Sequence, residues 1–200
     1  MSADTTATIA LLGTSADPPT RGHQALLEQL LEHHGQVVTW ASDNPGKCHA
    51  LPLADRCQLL NTLVQAIANP RLQLAQDLSS PWAITTLERA QARWPEATLY
   101  FVVGSDLVPQ ILQWKQADQI LQRCVLTVVP RQSWPLDRKA LQQLRQQGAQ
   151  VEVLNLNIPD TASSEARRTA DPRQVPAALR PLLAQRQFYG FNAESDPVCP

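Results

Sequence analysis

Apolar and polar positions along this chain follow two rhythms, one of strands and one of helices, and the two take turns. "TIALL" (8–12) is a continuous apolar run, the pattern of a strand buried on both faces of a sheet. Beyond a loop, Leu26, Leu27, Leu30 and Leu31 make one stripe at helical spacing, with Gly35 read as its stop. "QVVTWA" (36–41) predicts a second strand. From Pro52, at a first-turn position, Leu53, Cys57, Leu60, Val64 and Ile67 recur with helical period until Asn69-Pro70 ends the run. "LQLAQ" (72–76) predicts a weak strand and 84–93 a helix. "TLYFVVG" (98–104) is the clearest strand, followed by one or two short helices between Ser105 and Gln122. "CVLTVV" (124–129) is another strand, "LDRKALQQLRQQ" (136–147) a helix closed by Gly148, and "QVEVLNL" (150–156) a last strand. Two short helices follow near 163–169 and 176–186, and residues 191–200 read as a disordered tail.

Strands alternating with helices imply βαβ units joined by right-handed crossovers. The expected fold class is therefore α/β: a Rossmann-like, doubly wound, mostly parallel sheet with helices on both faces. One domain spans 1–190, because no Gly/Ser-rich or charged linker divides the chain. In such sheets ligands bind beyond the carboxyl ends of the strands, near the point where strand order reverses. That rule directs attention to four loops, 13–23, 42–51, 104–106 and 156–167.

Composition narrows the partners. The 200 residues are 44% hydrophobic and 18% charged, enough for a sizeable core, with a formal net charge of −1. Such a balance argues against a nucleic-acid partner or a membrane surface. No apolar run approaches the roughly 20 residues needed to cross a bilayer. "MSADTTATIALLG" lacks the basic start and long apolar stretch of a secretory signal, so a cytoplasmic protein is expected. Cys48, Cys57, Cys124 and Cys199 show no metal-type spacing and read as reduced thiols; no metal-ligating residues are assigned.

The first loop, "GTSADPPTRGH" (13–23), is neither of the two common glycine-rich phosphate motifs. It carries T-x-G-H at the start of a helix, where free N–H groups and the helix dipole welcome a phosphate. Gly22 would let a ligand approach the backbone, and Thr20 and His23 would add donors. Thr20 is equally readable as a plain helix cap and His23 as a surface residue. Asp106, after the clearest strand, can accept from a ligand or cap the next helix. Trp114 by itself reads as a core residue. His33-His34 sit at a helix end and are expected to be exposed; Trp40, Trp94 and Trp134 are expected to pack.

Taken together, four segments resemble the nicotinate-nucleotide adenylyltransferase branch of the nucleotidyltransferase superfamily with the [H/T]-x-G-H motif. "GTSADPPTRGH" resembles that family's G-G-[TS]-F-D-P-x-H-x-G-H, and "SDNPGKCHALPLADRCQLL" its N-P-x-x-K segment and Arg-bearing helix. "FVVGSDLVPQILQWKQADQIL" resembles its F-I-x-G-x-D segment with a downstream W-K, and "IPDTASSEARR" its I-P-x-x-I-S-S-T-x-I-R. The closing "VPAALRPLLAQRQFYG" resembles its V-P…Y stretch, so the likeness runs from about Ile9 to Tyr189. This chain departs from the pattern at Thr20, where that branch has His, and at Leu12, where it has Gly. Ser15-Ala16 fill the place of one residue, and Ala162 stands in for a serine.

The resemblance implies transfer of AMP from ATP to nicotinate mononucleotide, releasing pyrophosphate and forming the deamido dinucleotide, with Mg²⁺ accompanying ATP. It implies that His23, Thr20, Lys47 and Arg167 serve the reaction, with Arg168 replacing Arg167 if the register shifts by one. It puts Gly13, Thr14, Gly22, Gly104, Asp106, Ser163 and Ser164 at ATP, and Thr86, Trp82 and Trp114 at the acceptor. Arg56 matches a helix arginine that either contacts ligand or makes a helix-face salt bridge. Such chemistry needs positioning and neutralisation of phosphate charge, with no protein nucleophile and no carboxylate pair. Only Lys47, Lys115 and Lys139 are lysines, so one in the second loop is informative. Rival readings are an enzyme acting on nicotinamide mononucleotide or phosphopantetheine, and a non-catalytic nucleotide-binding module. Either a monomer or a homodimer is compatible with the chain.

Overall fold

The computed structural model describes residues 7–44 and 46–192. Six strands, β1 (Thr8–Thr14), β2 (Gln36–Ala41), β3 (Leu72–Leu74), β4 (Thr98–Gly104), β5 (Val125–Val129) and β6 (Gln150–Val153), form one sheet in the order β3-β2-β1-β4-β5-β6. Every pairing in it is parallel. The helices are α1 (Arg21–His33), α2 (Leu53–Ile67), α3 (Ala83–Arg93), α4 (Ala117–Arg123), α5 (Arg138–Gln146), α6 (Ser163–Thr169) and α7 (Arg180–Gln185). Short 3₁₀ turns lie between them, the longest at Val108–Gln113.

The continuous apolar runs are explained by two separate cores, one on each face of the sheet. Ile9, Leu11, Val38, Trp40, Phe101, Val103, Leu126 and Val128 look to one face, where they meet α3, α4 and α5. Ala10, Leu12, Val37, Ala41, Val102 and Val129 look to the other, where α1, α2 and the C-terminal helices cover them. The period-2 alternation of a strand thus feeds two cores at once. Strand order reverses between β1 and β4, so the loops after Thr14 and Gly104 open at the switch point.

Local details differ from expectation in four places. α1 does not end on a left-handed glycine; His34 caps it in extended conformation, and the Gly35 N–H donates to Thr8 Oγ1 at 2.9 Å. A Cβ on Gly35 would come within 3.3 Å of the Thr8 carbonyl, so close approach to β1 explains the glycine. Gly148 does end its segment at φ +88°, as expected of a helix-closing glycine. His34 is buried, 4.6 Å from the Tyr100 ring, because α1 carries it onto the sheet. Trp134 is exposed; Trp40 and Trp94 pack as expected. Phe191, placed at the start of the tail, is buried in the second core, and residues 193–200 lie outside those described.

Candidate active site

The loop from β1 to α1 is shaped before any ligand arrives. Gly13 pairs across the sheet with Trp40, and a Cβ there would come within 2.8 Å of the indole. Its smallness makes room for that ring. Ala16 stands at φ +50°, in the left-handed region, which accommodates the additional residue of this loop. Thr20 is the N-cap of α1 and is fully buried. Its hydroxyl lies 2.8 Å from His23 Nδ1 and 3.2 Å from the Thr161 carbonyl.

His23, three residues into the helix, returns the favour. Its Nδ1 accepts the Thr20 backbone N–H at 3.1 Å, closing a reciprocal cap. A backbone N–H can only donate, so Nδ1 carries the lone pair and the neutral ring keeps its proton on Nε2. Burial, and after it the Arg131 guanidinium, lower the imidazole pKa from 6.5 to about 4. His23 is consequently a neutral N–H donor at pH 7.

The 158–167 segment crosses directly over this loop. Gly22 donates its N–H to Thr161 Oγ1 at 2.8 Å, and a Cβ would meet the Pro159 carbonyl and Thr161 Oγ1 at 3.0 Å. The close approach expected of a ligand at Gly22 is made by the protein's own chain, and its N–H is already paired. Thr20 likewise spends its hydroxyl inside the fold, so it holds His23 and does not face a ligand. Ser163 Oγ donates to the Pro18 carbonyl at 2.9 Å, while Ser164 stays exposed at the start of α6. Arg167 donates to the Asp17 carbonyl, whereas Arg168 turns outward to Glu165 at 2.6 Å. Of the two arginines, Arg167 is the one joined to this loop.

The neighbouring strand ends complete the arrangement. Asp106 Oδ2 lies 3.4 Å from Arg131 Nη1, and Asp106 Oδ1 is buried without a partner. A Cβ on Gly104 would collide with Asp106 Oδ1 and reach Arg131 Nε at 3.1 Å, so only glycine fits beneath that pair. Thr14 sits at the end of β1 with its Oγ1 accepting from the Ala16 N–H at 3.3 Å. Lys47 is exposed on the loop after β2, where its charge is felt at His49; it is not among the side chains drawn together above. Arg56 makes an ion pair, its Nη2 standing 3.7 Å from Asp43 Oδ1 on the loop after β2. It is buried and donates to the carbonyls of Leu51, Ser15 and Ser42, clamping the first two loops together.

On the far side of β4, Trp114 packs edge-on to Phe101 with centroids 6.4 Å apart, and Lys115 Nζ sits 5.0 Å above the Trp82 ring. Trp82 is about half exposed at the N-terminus of α3, which has neither an acidic first turn nor a side-chain cap. Thr86 is buried and donates its hydroxyl to the Leu78 carbonyl, so its side chain braces α3 instead of lining an open pocket.

Four residues escaped the reading of the sequence. Arg131 was there to be found, since it stands two residues beyond the end of β5, a strand end that no motif covered. Asp17 lies inside a quoted motif, but its partners come from three other segments. Thr161 and Tyr189 also lie inside quoted segments, but neither was given a role, because their partners are 139 and 172 positions away.

A model of the cytidylyltransferase-like family matches residues 11–171. The chain is 36% identical over 196 residues to a probable nicotinate-nucleotide adenylyltransferase of Synechocystis, covering 90% of this chain and 98% of that protein. A probable nicotinate-nucleotide adenylyltransferase of Rhodopirellula baltica is 28% identical, with 90% and 92% covered. Among solved structures, Plasmodium falciparum nicotinic acid mononucleotide adenylyltransferase complexed with NaAD superposes with a TM-score of 0.74. That likeness covers 93% of this chain and 98% of the other at 17% identity, which is a likeness of fold.

Proposed function

From the premise that this chain belongs to the nicotinate-nucleotide adenylyltransferase family, within the cytidylyltransferase-like group, we propose how its residues carry adenylyl transfer. The enzyme transfers AMP from ATP to nicotinate mononucleotide, a step of NAD biosynthesis. A phosphate oxygen of the mononucleotide attacks the α-phosphorus of ATP; the bond to the β-phosphate oxygen breaks, and its electron pair leaves with pyrophosphate. No protein atom enters a covalent bond. The residues supply position and charge.

The observation that carries this reading is His23, held by Thr20 as a neutral Nε2–H donor at the switch point, within electrostatic reach of Arg131. A neutral Nε2–H donates to charge developing on the phosphate oxygens and, unlike an imidazolium, keeps its proton while doing so. Arg131 and Arg167 flank it from the β5 and α6 sides, and Lys47 adds an exposed cation at the β2 edge. Gly13, Thr14, Gly22, Ser163 and Ser164 shape the phosphate side. Gly104 and Asp106 meet the adenosine, the orphaned Asp106 Oδ1 accepting from a ribose hydroxyl. Trp114 stacks on the pyridine ring, with Trp82 beside it and Thr86 bracing α3 from within.

Among the described residues no three His, Cys, Asp or Glu side chains gather, and the donors at the site are cationic or neutral. That set fits phosphate oxygens, and Mg²⁺ brought with ATP would supply further charge neutralisation there. Residues 1–190 act as one domain in this reading. A cytoplasmic setting fits the free thiols of Cys48, Cys57 and Cys124, and among the described residues no helix is long and apolar enough to cross a membrane.

Pyrophosphate release from ATP tests the substrate. Nicotinate mononucleotide should exceed the nicotinamide form at least about tenfold in kcat/KM, a difference of ~1.4 kcal/mol. Equal use of both would overturn the acceptor, and ATP binding without any release would overturn the reaction.

A further inference from the structure

Asp17 is a buried carboxylate at which four segments meet. Its Oδ1 accepts the phenolic O–H of Tyr189 at 2.6 Å, and its Oδ2 accepts the Ala50 N–H at 2.7 Å. Arg167 Nη1 and His49 Nδ1 both stand 3.8 Å from Oδ2, close enough to feel its charge and too far for a hydrogen bond. Arg167 instead donates to the Asp17 main-chain carbonyl, and its side chain remains about one-third exposed. A carboxylate and a guanidinium this close would ordinarily close into a two-point pair. Here each carboxylate oxygen already accepts one hydrogen bond, from the Tyr189 phenol and from the Ala50 N–H, which orients the group away from such a pair.

The turn that delivers the phenol is costly in backbone terms. Tyr189 stands at φ +56°, ψ +21°, with Gln187 at φ +50° and Gly190 at φ +80°. A bulky residue in the left-handed region persists only when its surroundings fix it. Phe191, buried just beyond, and the Asp17 hydrogen bond supply that anchorage. Burial and the adjacent carboxylate push the phenol far above its usual range, so it stays a donor.

We infer that Tyr189 is a positioning residue: by occupying Asp17 Oδ1 it keeps that carboxylate from capturing Arg167, leaving the guanidinium free for the ATP phosphates. The inference rests on the phosphate role given to Arg167 above. Asp17 holds the Arg167 guanidinium at Nη1 through the main-chain carbonyl, without closing a carboxylate pair on it. The C-terminal turn thus takes part in the site from outside it, touching neither substrate.

Steady-state kinetics with ATP and nicotinate mononucleotide on the full chain, for Tyr189→Phe, Tyr189→Phe with Asp17→Asn, and Arg167→Ala, test this. Tyr189→Phe should raise KM for ATP about tenfold while kcat falls less than about threefold and the acceptor KM holds. Adding Asp17→Asn removes the competing charge and should return the ATP KM to within about threefold of the parent. A purely structural phenol would lower kcat with the folded fraction, leave KM alone, and be made worse by the second change; that pattern overturns the inference. If Arg167→Ala raises the ATP KM and Tyr189→Phe does not, the inference fails while the phosphate role of Arg167 stands. If Arg167→Ala leaves the ATP KM unchanged, both fail together.

Discussion

The two sides of the site are held in shape by different forces. On the phosphate side, polar groups secure one another: Thr20 with His23 and Thr161, Gly22 with Thr161, Ser163 with Pro18, Arg56 with three carbonyls. On the acceptor side the contacts are between rings and a cation: Trp114 against Phe101, Lys115 over Trp82. Hydrogen bonds are directional and short-ranged, so they fix donors to within a few tenths of an ångström, as charge stabilisation at phosphorus demands. Ring contacts are shallow and tolerant, which suits a surface that must accept and release a flat heterocycle. Changes on the first side should therefore be severe and coupled, and changes on the second graded and confined to one substrate.

His23→Ala is the strongest test of that contrast. Loss of a donor aimed at developing charge should lower kcat by about a hundredfold or more, near 3 kcal/mol. Because Nδ1 also caps α1, the variant should lose about 1 kcal/mol of stability as well. Urea unfolding beside single-turnover rates separates the two losses; near-normal rates per folded molecule would remove His23 from the chemistry.

Arg56→Leu probes the scaffold without touching a phosphate. It leaves the carbonyls of Leu51, Ser15 and Ser42 unpaired in a buried place, at a cost of about 3 kcal/mol. For a chain of this size that corresponds to a melting midpoint lower by roughly 6–12 °C. A shift of a degree or less would show that the two loops do not depend on the clamp.

Acid should weaken the phosphate side by a comparable amount. The His23 pKa is about 4 in the folded protein against 6.5 unfolded, so the unfolded chain binds the proton first on acidification. This contribution to stability is complete above pH 6.5 and is lost as pH falls toward 4, to an extent on the order of 3 kcal/mol. Unfolding free energies at pH 7.5 and 4.5 should differ less in His23→Asn than in the parent by about that margin. Equal pH dependence in both would mean that the imidazole is not held neutral.

The smallest effect belongs to the acceptor side. Trp114→Ala should raise the acceptor KM about tenfold, or ~1.4 kcal/mol, and change the ATP KM less than about twofold. An equal rise for both substrates would erase the contrast between the two sides.

The alternation of "TIALL", "QVVTWA", "TLYFVVG" and "CVLTVV" with helical stripes was enough to specify a parallel, doubly wound sheet, because periodicity and length are properties of a segment by itself. T-x-G-H and the three later motifs pointed to the proposed site, since each lies at a strand end or at the start of a helix. What no segment contains is its partner. Whether Gly22 opens to a ligand or to Thr161, 139 residues away, depends on a crossing that only the folded chain makes. The same holds for Arg56, readable as a ligand contact or a helix-face salt bridge until three carbonyls surround it, and for Arg167, which the direction of α6 joins to the first loop while Arg168 turns outward. Asp17 and Tyr189 meet across 172 positions of sequence. Hydrogen bonds over such separations are decided by how two cores and a sheet bring loops together, and that is why tertiary structure alone assigned them.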